Sequence, residues 1–352
     1  MAPVYAPLVL VFQKFGRFYM EAILNSSLNS NSNSNSDAKF LNHSHVPAAF
    51  YNVMRVLLVL IVLLMALGAG VRTMNAGLSC PDWPLCFGKV IPEFHVGVWF
   101  EFVHRAYAGL VSLLFLGTAV YAIWSPVLPR AVKVAAVCGI GALMMQIVMG
   151  ALTVLLLVKA VIVTGHLICA TLFYMSVLAM YFYAKPNIVR NDKAAPVILS
   201  RSTGFFAVAT FLQLVVGGFV ASTYAGSVCV DWPLCNGVWV PTWRGAIGLQ
   251  ITHRFIAYFL TVSLLAYAIV IQTLQKREAK TWMTHQILLL SRVSAGLVIL
   301  QMGVGIANLL FYIPPSVTVL HQTMAIVLLT VNLRAYFVAR ELAQPSAVGA
   351  LA

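Results

Sequence analysis

Apolar and polar positions along the chain alternate in long blocks. After about residue 52, eight apolar stretches carry few or no charges: 53–73, 97–124, 134–158, 160–184, 202–223, 245–275, 286–313 and 316–338. Each is long enough for a helix to cross a hydrocarbon layer, which takes about 20 mostly apolar residues. The pattern predicts an all-α membrane protein of eight transmembrane helices with short loops. Residues 1–52 break it. Asn25 to Ser36 is nearly pure Asn and Ser, a composition that buries too little surface to fold. The apolar stretch Pro7–Phe12 is too short to span, and no small-residue cleavage site follows it, which argues against a secretory signal. The segment reads as a low-complexity extension, with an interfacial helix or a targeting segment as alternatives.

A repeat organises the rest. Ala76–Pro92 (AGLSCPDWPLCFGKVIP) aligns without gaps to Ala225–Pro241 (AGSVCVDWPLCNGVWVP) at an offset of 149, with 10 of 17 positions identical. The same offset relates Glu101-x-x-His104-Arg105 to Gln250-x-x-His253-Arg254. At offset 155 Gln146-x-x-x-Gly150 matches Gln301-x-x-x-Gly305, and His166 matches His321. Each repeat holds four spans, an even number, so both halves enter the membrane from the same side, related by an axis along its normal. The expected architecture is two pseudo-symmetric four-helix bundles, residues 53–184 and 202–340, joined by a cytoplasmic linker at 185–201.

Composition supports this reading and fixes an orientation. The chain of 352 residues is 61% hydrophobic and 9% charged, which excludes a water-soluble globular domain. Its net charge of +13 suggests nucleic acid at first sight. In a membrane chain, however, basic residues mark the cytoplasmic loops. Sixteen of the 22 Lys and Arg fall at the termini or in loops 2–3, 4–5 and 6–7, and six fall on the other side. Both termini are therefore expected in the cytoplasm (or matrix), and no nucleic acid is expected as a partner.

Four histidines, His104, His166, His253 and His321, lie inside spans at matched positions. A lone polar ring in a membrane helix is usually a helix–helix hydrogen bond. Two matched pairs, each on the second and fourth helix of a bundle, instead fit facing imidazoles that ligate haem. All four lie near the outer ends of their spans, which suits lateral transfer between side-by-side sites better than electron transfer across the membrane. Glu101 is the only acidic residue in a span interior, and Gln250 replaces it in the second half. It is either half of an ion pair with Arg105 or Arg72, or a proton-transfer group beside the first ligand pair. The N-terminal bundle is accordingly the better candidate for chemistry. Arg105 and Arg254 suit haem propionates and equally suit snorkelling to the interface. Gly150 and Gly305, with Gly139, Gly141 and Gly303, offer close approach, a weak signal in membrane helices. Cys80 with Cys86, and Cys229 with Cys235, bracket outer Pro/Trp loops where disulfides persist, so two local disulfides are expected. The ligand spacing disfavours zinc. Cys138 and Cys169 read as inert core residues.

These motifs together, Cys80-x5-Cys86, Glu101-x-x-His104-Arg105, His166, Cys229-x5-Cys235, His253-Arg254 and His321, closely resemble haem A synthase over residues 53–340. The resemblance implies an enzyme of cytochrome oxidase assembly that oxidises the C8 methyl group of haem O to a formyl group by two successive hydroxylations and loss of water. It implies a haem b cofactor on His253 and His321, a substrate haem on His104 and His166, and Glu101 as the catalytic residue. The expected partners are haem O, haem O synthase and oxidase assembly factors, membrane lipid and an unidentified electron donor. A homo-oligomer is compatible with it. The expected location is the bacterial plasma membrane, with the mitochondrial inner membrane as the alternative. The Asn/Ser extension has no counterpart in the family pattern. Two rivals remain on the residues alone: a dihaem b cytochrome that only carries electrons, and a haem transporter or chaperone.

Overall fold

Chains that cross a hydrocarbon layer must satisfy their backbone groups internally, so apolar stretches of this length become helices. The computed structural model describes residues 46–185, 197–239, 241–277 and 282–343, except for the side chains of 275–277 and 282–284. It contains α1 (Ala48–Thr73), α2 (Val96–Trp124), α3 (Arg130–Leu155), α4 (Ala160–Tyr183), α5 (Val197–Ser222), α6 (Gly245–Arg277), α7 (Trp282–Leu310) and α8 (Pro315–Ala343). All eight are long and apolar enough to span. Most of the predicted N-terminal extension and the linker segment 186–196 lie outside the described residues.

The main departures from the sequence boundaries are at helix ends. α1 takes in residues 48–52 of the expected extension, and α3, α5 and α7 each begin about four residues early. The first turns of α3 and α5 carry Arg130, Lys133 and Arg201, charges that hydropathy reads as loop. At the other end, α3 stops at Leu155, three residues before the apolar run ends. Leu157 and Val158 turn left-handed (φ 55° and 49°), and the Val158 N–H closes on the Thr153 carbonyl at 2.7 Å. The end of α7 repeats this at Tyr312 and Ile313 (φ 60° for both), with the Ile313 N–H on the Asn308 carbonyl at 2.7 Å. Such a closure normally uses glycine. A branched residue there costs about 1–2 kcal/mol, so no sequence rule would place the turn at these positions.

The helices pack as two closed rings. α1 touches α2 and α4, and α3 lies between α2 and α4; α5 touches α6 and α8, and α7 lies between α6 and α8. The rings meet where α1 and α4 pack on α8 and α5. The largest apolar core fills the first ring with Met54, Leu57, Ile61, Phe115, Val177 and Met180, and continues to Leu214 of α5 and Ile326 and Leu329 of α8. Phe115 and Phe173 meet edge-to-face at 4.7 Å, and Phe182 of α4 stacks on Phe337 of α8 at 4.9 Å. One buried polar cluster in the second ring is fully paired. Asn332 accepts from Ser294 and donates to Thr210, tying α8 to α7 and α5. At the C-terminal ends of α1 and α5, the ring–ring contacts join positions 149 residues apart: Arg72 donates to the Ala221 carbonyl at 2.9 Å, and Tyr224 to the Asn75 side chain at 3.4 Å.

Candidate functional site

The four histidines sit at matching heights. His104 lies eight residues after Val96, the first of α2, and His253 eight after Gly245 of α6; His166 and His321 lie six after Ala160 and Pro315. At about 1.5 Å per residue, these histidines sit about 9–12 Å from the starts of their helices. His104 and His166 are within electrostatic range of each other, as are His253 and His321. Each ring of imidazole presses on a glycine of the preceding helix. A methyl group added to Gly68 would stand 3.0 Å from Cε1 of His104, and one on Gly217 3.1 Å from His253. The corresponding distances are 3.2 Å from Gly150 to His166 and 2.8 Å from Gly305 to His321. A methyl group at Gly305 would force the His321 ring to shift, and at the other three positions the ring would have to give by a few tenths of an ångström.

Glutamines hold three of the rings. Nε2 of Gln146 lies 3.0 Å from Nε2 of His166, and Nε2 of Gln301 lies 3.4 Å from Nε2 of His321 and donates to its carbonyl at 3.0 Å. Gln213 engages His253 through Nδ1, at 3.1 Å. Nδ1 of His104, His166 and His321 is buried with no partner. A buried polar atom left in this state costs about 1–3 kcal/mol, so three orphaned nitrogens mark a place built to receive something else. Paired imidazoles, each backed by a glycine and three of them carrying an orphaned nitrogen, fit a haem held between the second and fourth helix of each ring.

Above each pair sits the loop that joins the first and second helix of its ring. The structure bonds Cys80 to Cys86 and Cys229 to Cys235, with Cα atoms 4.8 and 4.6 Å apart. A cis Trp–Pro bond and one bridge, Cys86 to Lys89 or Cys235 to Val238, complete each loop. An aspartate pins it: Asp82 accepts from the N–H groups of Phe87 and Gly88, and Asp231 from Asn236 and Gly237. These donors, Gly88 and Gly237 foremost, hold both carboxyls below the ordinary carboxylate range.

Arg105 and Arg254 anchor the loops to the helices. Arg105 donates to the carbonyls of Asp82 and Leu85, both at 2.8 Å, and to that of Cys80 at 3.2 Å; Arg254 donates to the carbonyls of Leu234 at 2.6 Å and Cys229 at 3.1 Å. Neither sequence reading, propionate contact or snorkelling, includes this role. Beneath the first loop the Glu101 carboxylate is buried (4% exposed) between Arg105, at 2.5 Å, and the Cys80 N–H, at 2.9 Å. In the second half Gln250 is buried too, and its Oε1 has no partner. Cys138 and Cys169 are free and buried.

The structure therefore gathers the histidines in pairs and sets Glu101 one turn nearer the start of α2 than His104, with the Arg105 guanidinium reaching back to it. Of the other glycines singled out in the sequence, Gly139 packs against Phe115 and Ser176, and Gly303 faces open space. Three further groups emerge only from the fold: Gly68 and Gly217, the aspartates Asp82 and Asp231, and Gln213. The first two pairs could have been found, since each obeys the offset of 149. Gln213 could not, because the matching position is Leu64.

Residues 51–333 match the model of the cytochrome oxidase assembly protein family. A protein of Shewanella oneidensis named "Heme A synthase" is 27% identical over 337 residues, covering 81% of this chain and 95% of its own length. One of Shouchella clausii with the same name is 31% identical over 261 residues, 72% of this chain and 84% of its own. One of Halalkalibacterium halodurans, also so named, is 30% identical over 253 residues, covering 69% and 84%. The match to the family extends from the first span to the last, and the chain belongs to the cytochrome oxidase assembly protein family.

Proposed function

We propose that this integral membrane protein is a haem A synthase, an oxidoreductase that converts haem O to haem A for cytochrome oxidase assembly. The observation that carries the reading is an asymmetry within a repeat: two glycine-backed histidine pairs, with a buried carboxylate over only one. His104 and His166 bind the substrate haem, and His253 and His321 hold a haem b, which supplies electron transfer when bound. The outer-end position of both pairs sets them side by side, with both termini cytoplasmic.

Turning a methyl into a formyl group removes four electrons from one carbon: two hydroxylations give an alcohol and then a gem-diol, which loses water. Each hydroxylation exchanges a C–H for a C–OH bond with two electrons passing to an external oxidant, and these steps and the loss of water move protons at the substituent. Glu101, one turn outward of His104, is the group placed to take them. Arg105 and the Cys80 N–H fix the carboxylate in one orientation, so Glu101 needs no reorganisation when charge moves beside it. Arg105 is a positioning residue, joining the loop carbonyls to that carboxylate. The loops, closed by their disulfides, cover the outer side of each pair and limit access of water.

A dihaem cytochrome that only carries electrons has no use for the difference between Glu101 and Gln250, and a haem transporter would release its cargo unmodified. Extraction and mass analysis of the haems from purified protein decide among them. Haem A or a hydroxylated haem O establishes the enzyme; two unmodified haem b molecules sink it.

A further inference from the structure

The two halves differ in what stands on the histidine of the second helix. Nε2 of Gln213, on α5, lies 3.1 Å from Nδ1 of His253 and 2.9 Å from the His253 carbonyl. The position 149 residues earlier is Leu64, an apolar residue packed against the main core, and Nδ1 of His104 is buried with no partner. The fourth-helix histidines show no such contrast, since Gln146 and Gln301 stand on both. At Nδ1 only the second-helix histidines differ, since His253 has an amide there and His104 has none.

The Gln213 amide has a second face. With Nε2 donating to both atoms of His253, Nδ1 is an acceptor and the ring proton sits on Nε2, an assignment that follows from the hydrogen-bond network. Oε1 of Gln213 is meanwhile buried with no partner. A ring that ligates iron through Nε2 carries its proton on Nδ1 instead. For Oε1 to reach that N–H the amide must turn over, give up the Nε2 bond to the His253 carbonyl and swing clear of that oxygen, and Oε1 then gains the partner it lacks. A hydrogen bond of this kind fixes the ligand ring about its metal bond and makes it a stronger donor.

We propose that Gln213 is a positioning residue that accepts a hydrogen bond from Nδ1 of the ligating His253, making the C-terminal haem a fixed redox cofactor, while Leu64 leaves His104 free to exchange its haem. This rests on the assignment of His253 as a haem ligand. A more strongly donating imidazole favours ferric over ferrous iron, so the contact lowers the midpoint potential of the C-terminal haem.

The test is a redox titration and a low-temperature electron paramagnetic resonance spectrum of the haem b form of the full chain. Gln213→Leu removes the acceptor and should shift the equilibrium about tenfold toward ferrous iron, a rise of about 59 mV for one electron. Gln213→Glu supplies a stronger acceptor and should shift the potential and the g values the opposite way. A side chain that only fills space would move both variants in one direction or neither, and that outcome overturns the proposal. If Gln213→Leu does not fold, Gln213→Glu decides by whether its potential falls. Leu64→Gln should slow loss of the N-terminal haem to excess apomyoglobin several-fold; an unchanged rate overturns the exchange half of the proposal. Low-spin haem b retained in full by His253→Ala would instead remove the ligand assignment itself, a failure distinct from either.

Discussion

Asp82 and Asp231 hold the two outer loops with the same pair of backbone donors, and Arg105 and Arg254 brace those loops against their helices through matching carbonyls. Directly below, the correspondence ends. Glu101 is a charged group clasped by two donors, Gln250 is an amide with an orphaned oxygen, and only His253 of the two second-helix histidines has a hydrogen-bonded ring. The scaffold has been kept while the polar groups next to the ligands have diverged. A repeat is therefore most informative where it fails, because sterics and loop chemistry alone would have kept the halves alike.

The largest expected effect removes one half's contents. His253→Ala or His321→Ala should abolish most bound haem b in protein made without haem O, read as loss of the low-spin absorption spectrum. The next separates chemistry from binding. Glu101→Gln copies the second half and should leave haem content and folding nearly intact while lowering haem A formation about 100-fold or more, with haem O or its alcohol accumulating. Normal haem A output from this variant would mean that the Glu101/Gln250 contrast has another cause.

Breaking the disulfides compares the halves more gently. Closing a loop over a sequence separation of 6 contributes about 2.4 kcal/mol in the chain-entropy account, so Cys80→Ser/Cys86→Ser and Cys229→Ser/Cys235→Ser should lower thermal stability alike. Turnover should fall further in the first pair, because the Cys80 N–H holds Glu101. The smallest effect is one in which the halves should agree. Asp82 and Asp231 have carboxyls held below the ordinary range by their N–H donors. A depressed folded pKa gives stability that is present above the unfolded value of about 3.9 and is lost as pH falls through the folded one. Resistance of the loops to protease should stay level near neutrality and decline below about pH 4, and Asp82→Asn and Asp231→Asn should each weaken that decline.

The spans and the histidine pairs were legible because a hydrocarbon layer leaves a chain few options, and because the offsets of 149 and 155 locate each residue twice. Val158 and Ile313 show where that reading stops: an apolar run continues through a left-handed turn without any change of composition. Arg105 was legible as a cation beside the first histidine pair, but its carbonyl partners follow from the loop fold, which no periodicity encodes. Gln213 was illegible for the opposite reason, since it faces His253 across two helices and breaks the repeat that revealed the rest.

The glycines against the imidazoles also bear on any attempt to make this protein more robust. Exchanging helical glycine for alanine is an ordinary stabilising step, worth up to about 1 kcal/mol in a helix interior. Gly109, Gly117 and Gly296 have nothing within 4 Å of an added methyl group and should accept the change. At Gly68, Gly150, Gly217 and Gly305 the same substitution sets a carbon 2.8–3.2 Å from an imidazole of the four proposed ligands. An engineer selecting for heat resistance alone could therefore collect variants with sound helices that have lost the ability to hold haem.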